Sequence, residues 1–124
     1  MSFLLGLAGF LLTIGIIVIV HEGGHFFTAK FFNIKVTRFS FGMGPVLWRR
    51  RKGETEYCFS ALPLGGYVRM ADEADADLTE DDRSRLYTRQ ARWKRGLVLF
   101  AGPATNFVLA FFLYVMVGAI GTPD

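Results

Sequence analysis

The sequence predicts a membrane α-helical fold with a small β element: two transmembrane helices joined by a β-hairpin-like segment, cytoplasmic or membrane re-entrant, and an amphipathic stretch. Three observations lead there. Residues 1–20 and 96–123 carry no charged side chain, while all 14 Lys and Arg residues fall between Lys30 and Arg95. Residues 34–70 are rich in β-branched and aromatic side chains that alternate with polar ones. The 124-residue chain is 52% hydrophobic and 15% aromatic, above ordinary soluble usage.

The first element, residues 1–32, is apolar from Phe3 through Val20 and continues through His21-Glu22-Gly23-Gly24-His25 without a proline. About 20 apolar residues span a bilayer, and a helix of about 30 residues is near 45 Å long, so its last turns leave the hydrocarbon. Asn33 is the expected stop. A cleaved signal peptide is disfavoured, because there is no basic n-region and no small-x-small cleavage site.

Residues 33–70 read as a re-entrant, hairpin-like segment. The turn is expected at Arg51-Lys52-Gly53-Glu54, between strands near 46–50 and 55–61. Breaks at Gly42-Met43-Gly44-Pro45 and Pro63-Leu64-Gly65-Gly66 divide the segment into about four short strands of a small curved sheet. Residues 71–95 follow, with seven acids between 72 and 82, expected to form a mobile loop. The stretch from Arg83 to Arg95 has six basic residues with Leu86, Tyr87 and Trp93 interleaved, as in a helix lying on lipid headgroups. Residues 96–121 form the second membrane helix. A soluble-core reading of it is weak, since a domain this small cannot enclose two helices that are apolar all round.

Charge placement sets the orientation. With every basic residue between positions 30 and 95, the loop 33–95 is expected on the cytoplasmic side and both ends of the chain on the outer, periplasmic side. The run Arg49-Arg50-Arg51-Lys52 reads as a juxtamembrane patch meeting the lipid bilayer, not as a nucleic-acid site. Cys58 stands alone, which excludes an internal disulfide or a thiolate zinc cluster.

The chemistry concentrates in His21-Glu22-x-x-His25. Helical residues four apart share a face, so two imidazole nitrogens can bind one zinc ion, with Glu22 beside it to take a proton from water. These are the only histidines in the chain, and ionisable groups on a membrane helix are costly and usually kept for function. A blander alternative places both histidines among headgroups, with Glu22 reaching toward water. Zinc is inferred from ligand type, and other divalent metals suit two imidazoles and a carboxylate.

Four motifs together carry a resemblance that the first alone does not: His21 to His25, Phe41-Gly42-Met43-Gly44, Pro63-Leu64-Gly65-Gly66-Tyr67-Val68, and Gly102-Pro103-Ala104-Thr105-Asn106-Phe107. In order and spacing they resemble the site-2 protease family (peptidase M50), within it the bacterial regulator-of-sigma-E protease branch. The resemblance covers nearly all of the chain. It implies a zinc-dependent intramembrane endopeptidase of the bacterial inner membrane, acting in regulated intramembrane proteolysis on transmembrane substrate helices such as those of anti-sigma factors or on remnant signal peptides. It also implies that the hairpin segment dips into the membrane beside the metal and offers a strand edge to an unwound substrate. Gly42 and Gly44 would allow close backbone approach there, although a plain turn is an equally good local account. The same resemblance brings Asn106 near the catalytic centre, where it could bond substrate or orient metal ligands. Otherwise Pro103 kinks the helix and Asn106 bonds a freed carbonyl or a neighbouring helix.

Two departures stand out. Gly23 replaces a usually bulky apolar residue, and two consecutive glycines cost a helix about 1 kcal/mol each, so a looser metal-binding turn is expected. The family's third ligand, an Asp in a Leu-Asp-Gly motif on a later helix, has no counterpart, since Asp124 is the only acid beyond residue 82. Catalytic zinc normally has three protein ligands. The chain is therefore expected to be an N-terminal part, inactive alone, whose partners are the remaining helices and PDZ domains of a full-length enzyme. The rival from another class is a non-catalytic membrane regulatory protein that retains the front half of the fold.

Overall fold

The computed structural model describes residues 2–121. They form helix α1 (Ser2–Phe31), strands β1 (Val36–Lys52) and β2 (Thr55–Met70), short helix α2 (Glu80–Ser84), a 3-10 turn at Tyr87–Arg89, and helix α3 (Arg92–Ile120). By length and composition α1 and α3 are both able to cross a bilayer. None of the most apolar stretch of α1 is buried, and only 11% of that of α3. Helices inside a soluble core would be covered.

Helix α1 runs unbroken through Gly23 and Gly24, and Asn33 ends it with φ 60°. The Ile34 amide donates to the Ala29 carbonyl at 2.9 Å and the Asn33 amide to Lys30 at 3.0 Å, the paired bonds of a left-handed helix stop. Asn accepts this backbone more readily than most residues. Ile34 then enters a core with Phe26, Ala29, Val36 and Val98, where the end of α1, the sheet and the start of α3 meet.

The four short strands expected from sequence are segments of two long ones. Lys52 to Trp48 pairs with Thr55 to Phe59 across the expected hairpin turn. Arg38–Phe41 pairs in the antiparallel sense with Arg69–Gly66, and on its other side with Glu56–Phe59, where both sets of numbers rise together. The two strands therefore each double back, β1 across 42–45 and β2 across 61–65. Gly42, at φ 88°, makes the first reversal possible, because a Cβ there would lie 2.6 Å from the Leu62 carbonyl oxygen. The sheet lies along α1, with the Phe41 ring over Gly15 and Gly66 against Val18.

Residues 71–91 hold more local structure than the sequence suggests. The acidic stretch is tied down: Thr79 and Asp82 close a capping box on α2, Lys35 pairs with Asp82 at 2.8 Å, and Arg69 with Asp75 at 2.6 Å. The single interfacial helix over 83–95 is replaced by the end of α2, the 3-10 turn and the first turn of α3. Leu86 is fully buried and Arg85 accepts a bond from the Lys35 amide, so this segment packs on the protein's own core. Arg85 also grips Glu54 at the hairpin tip through two bonds of 2.7 Å, and donates to the Asn33 carbonyl at 2.9 Å. Lys30 stands 3.4 Å from the same carboxylate. Arg85 foremost, with Lys30, holds the Glu54 carboxyl below the ordinary carboxylate range.

Candidate metal centre

Residues 21 and 25 fall one turn apart on α1, and their rings meet edge to face with the two Nε2 atoms 3.1 Å apart. The other nitrogen of each ring faces α3. His25 Nδ1 lies 2.6 Å from the Val98 carbonyl oxygen. A carbonyl only accepts, so Nδ1 carries the proton and Nε2 keeps its lone pair. His21 Nδ1 lies 3.2 Å from Asn106 Nδ2. The remaining atom of that amide, Oδ1, is buried without a partner among the described residues.

Small residues let α3 come this close. A Cβ on Gly102 would overlap His25 Nε2 and lie 2.8 Å from His21 Nε2, so only a bare glycine fits against the two nitrogens. A Cβ on Gly24 would overlap the Ala101 carbonyl oxygen and come within 2.5 Å of Thr105 Oγ1. Thr105 Oγ1 is in turn 3.0 Å from the Val20 carbonyl of α1 and 2.8–2.9 Å from two carbonyls of its own helix. Its single proton serves one of them at a time. Far from loosening the turn, as the glycine pair suggested, Gly24 seats it against α3, and the His25 bond pins it.

This arrangement fits a divalent metal. It offers two converging imidazole nitrogens, a glycine where any side chain would collide with them, and an outer hydrogen bond that fixes one ring's tautomer. Among the described residues no group of three or more His, Cys, Asp or Glu side chains gathers to hold an ion. Asp124 lies outside the described residues.

Glu22 and His25 border a cavity of about 210 Å³ also lined by Val68, Met70, Tyr87 and Val98. Val68 and Met70 belong to the Gly66–Met70 segment, which pairs only with residues 36–41 among the described residues. One sheet edge therefore lies beside Glu22 and His25. Of the other residues singled out from sequence, Asn106 joins the histidines. Gly42 and Gly44 do not: their turn faces Leu62, and the neighbouring Phe41 packs six residues, or about 9 Å along the helix, before His21. Sequence reading missed the Val98 carbonyl, which no residue type announces. It also treated Gly24 as a cost, although its pairing with Thr105 follows the small-residue pattern of packed membrane helices.

The family model described as "Peptidase family M50" matches residues 9–122. The chain is 41% identical over 124 residues to the regulator of sigma-E protease RseP of Escherichia coli, covering 99% of this chain and 28% of that protein. A Vibrio cholerae protein described as "Putative zinc metalloprotease" is 42% identical over 115 residues, 92% of this chain and 25% of its own length. The regulator of sigma E protease of Haemophilus influenzae is 41% identical, with 99% and 28% covered. The chain thus spans about a quarter of the length of these curated relatives.

Proposed function

The chain belongs to peptidase family M50, and from that premise we propose that it is the metal-binding front part of a zinc-dependent endopeptidase that cuts transmembrane segments within the membrane. The observation that carries this is the convergence of the His21 and His25 Nε2 atoms at 3.1 Å beneath Gly102, with Glu22 lining the adjoining cavity. His21 and His25 hold the ion, and a third ligand comes from outside the described residues.

When bound, zinc supplies a Lewis acid for the scissile carbonyl and brings the pKa of a water toward about 7. Glu22 takes the proton from the attacking water and delivers it to the leaving amine. Val98 holds His25 in the tautomer that leaves Nε2 without a proton, the form that would bind the ion. The Gly66–Met70 edge pairs with a substrate stretch drawn out of its helix. This exposes a carbonyl that a helix would keep bonded. Gly42 and Gly44 act on the substrate only indirectly, by shaping the turn that sets this edge.

The exposed apolar flanks of α1 and α3 favour a multi-pass position in a bacterial inner membrane, with residues 33–95 on the cytoplasmic side. The substrates are single-pass segments such as those of anti-sigma factors or remnant signal peptides. The rest of a longer protein, helices and PDZ domains, completes the enzyme. The test is cleavage of a single-pass substrate in membranes by the full reading frame and its Glu22→Gln variant. The variant should lose about 10²- to 10⁴-fold in rate, as when an acid–base group is removed. Equal rates reject the assignment.

A further inference from the structure

Resting on that site, we infer that Asn106 is a positioning residue whose carbonyl oxygen sets the tautomer of His21 and so makes the second metal-ligating lone pair available. With Nδ2 facing His21 Nδ1 at 3.2 Å, the amide donates and Nδ1 accepts. The His21 proton then sits on Nε2, where it donates to the bare His25 Nε2 3.1 Å away. That arrangement satisfies two histidines with no metal, at the expense of Asn106 Oδ1, which is buried without a donor. A half-turn of the amide exchanges its two ends and moves the unmet group from Oδ1 to Nδ2. Oδ1 then accepts from His21 Nδ1–H, as the Val98 carbonyl does from His25. Both Nε2 atoms now carry lone pairs that repel each other at this distance, and a cation between them removes the repulsion. Helix α3 thus provides one acceptor per ligand, a fixed one at Val98 and a reversible one at Asn106. In the donating state the two imidazoles satisfy each other, and in the accepting state they are ready for the ion.

The experiment is zinc binding, measured by chelator competition on the purified full-length protein and on variants, with no substrate present. Asn106→Leu keeps the shape and removes the acceptor, and should weaken zinc about 10- to 100-fold, the usual effect of losing an outer-shell partner. Asn106→Asp keeps two acceptors and cannot donate, and should bind zinc at least as tightly as the unsubstituted protein. Affinity of the Leu variant equal to the unsubstituted protein, with its helix content retained, overturns the role. So does an Asp variant as weak as the Leu variant. Should the Leu variant not accumulate, the Asp variant decides alone. Failure of the unsubstituted protein to take up zinc rejects the metal site itself, whereas normal uptake with indifferent variants rejects only the part given to Asn106.

Discussion

Two places hold this molecule together, and they use opposite physics. At the histidines, α1 and α3 meet through missing side chains: Gly24, Gly102 and the small Thr105 bring backbone against backbone, and two of the bonds that cross end on main-chain carbonyls. At the end of α1 the hairpin tip is clamped by charge, with Lys30, Glu54 and Arg85 in one cluster and Lys35 with Asp82 beside it. Packing of the first kind tolerates almost no added volume and ignores salt. The second kind tolerates changes of shape but depends on ionisation. A site that must hold two nitrogens to a fraction of an ångström is built by the first method, and a connection at the polar end of the helix by the second.

Substitutions should separate the two. The largest effect is expected from Gly102→Ala, whose methyl group must displace both imidazoles or push α3 away. Overpacking costs about 1–3 kcal/mol, so cleavage and zinc affinity should each fall by up to about 100-fold. Zinc titration of the full-length protein checks this, and unchanged affinity would mean the crossing is not close-packed. Next comes the clamp. Glu54→Gln should raise local opening of residues 51–54 and 85–86 about fivefold in hydrogen exchange, or about 1 kcal/mol, the upper end for ion pairs of this exposure. Acid should do the same. Because the Glu54 carboxyl is depressed in the folded chain, its contribution is complete above the unfolded value of about 4.3 and is lost as pH falls through the lower folded value. The smallest effect, and of opposite sign, belongs to Gly23→Ala. A Cβ there meets nothing within 4 Å, so only helix propensity changes, by about 1 kcal/mol in favour of folding. Thermal melting should rise slightly with zinc affinity unaltered, which would show that neighbouring glycines on one turn have unrelated duties.

The parts legible in the sequence were those with a local cause. Two uncharged blocks gave the long helices, Asn33 gave the end of α1, and the i, i+4 spacing placed His21 and His25 together. What escaped reading depended on distant partners. Nothing local says that β1 and β2 double back so that residues 38–41 gain neighbours on both sides. Asp82 looked free because its cation, Lys35, lies 47 residues away, although Arg69 stands only six residues before its partner Asp75. Basic residues from 83 to 95 suggested lipid, yet Arg85 spends its charge on Glu54. The resemblance brings Asn106 near the catalytic centre, but which histidine it faces depends on how the two helices cross.

The oxygen that steadies His25 belongs to the main chain at position 98. Every amino acid brings an identical oxygen there, so no codon change can delete it. A saturation screen for loss of proteolysis would therefore register Asn106 for its amide but residue 98 only for its buried side chain, and would miss half of the tethers that α3 extends to the two imidazoles. Backbone amide-to-ester replacement at the following bond, which weakens that oxygen as an acceptor, is the kind of change that could expose it.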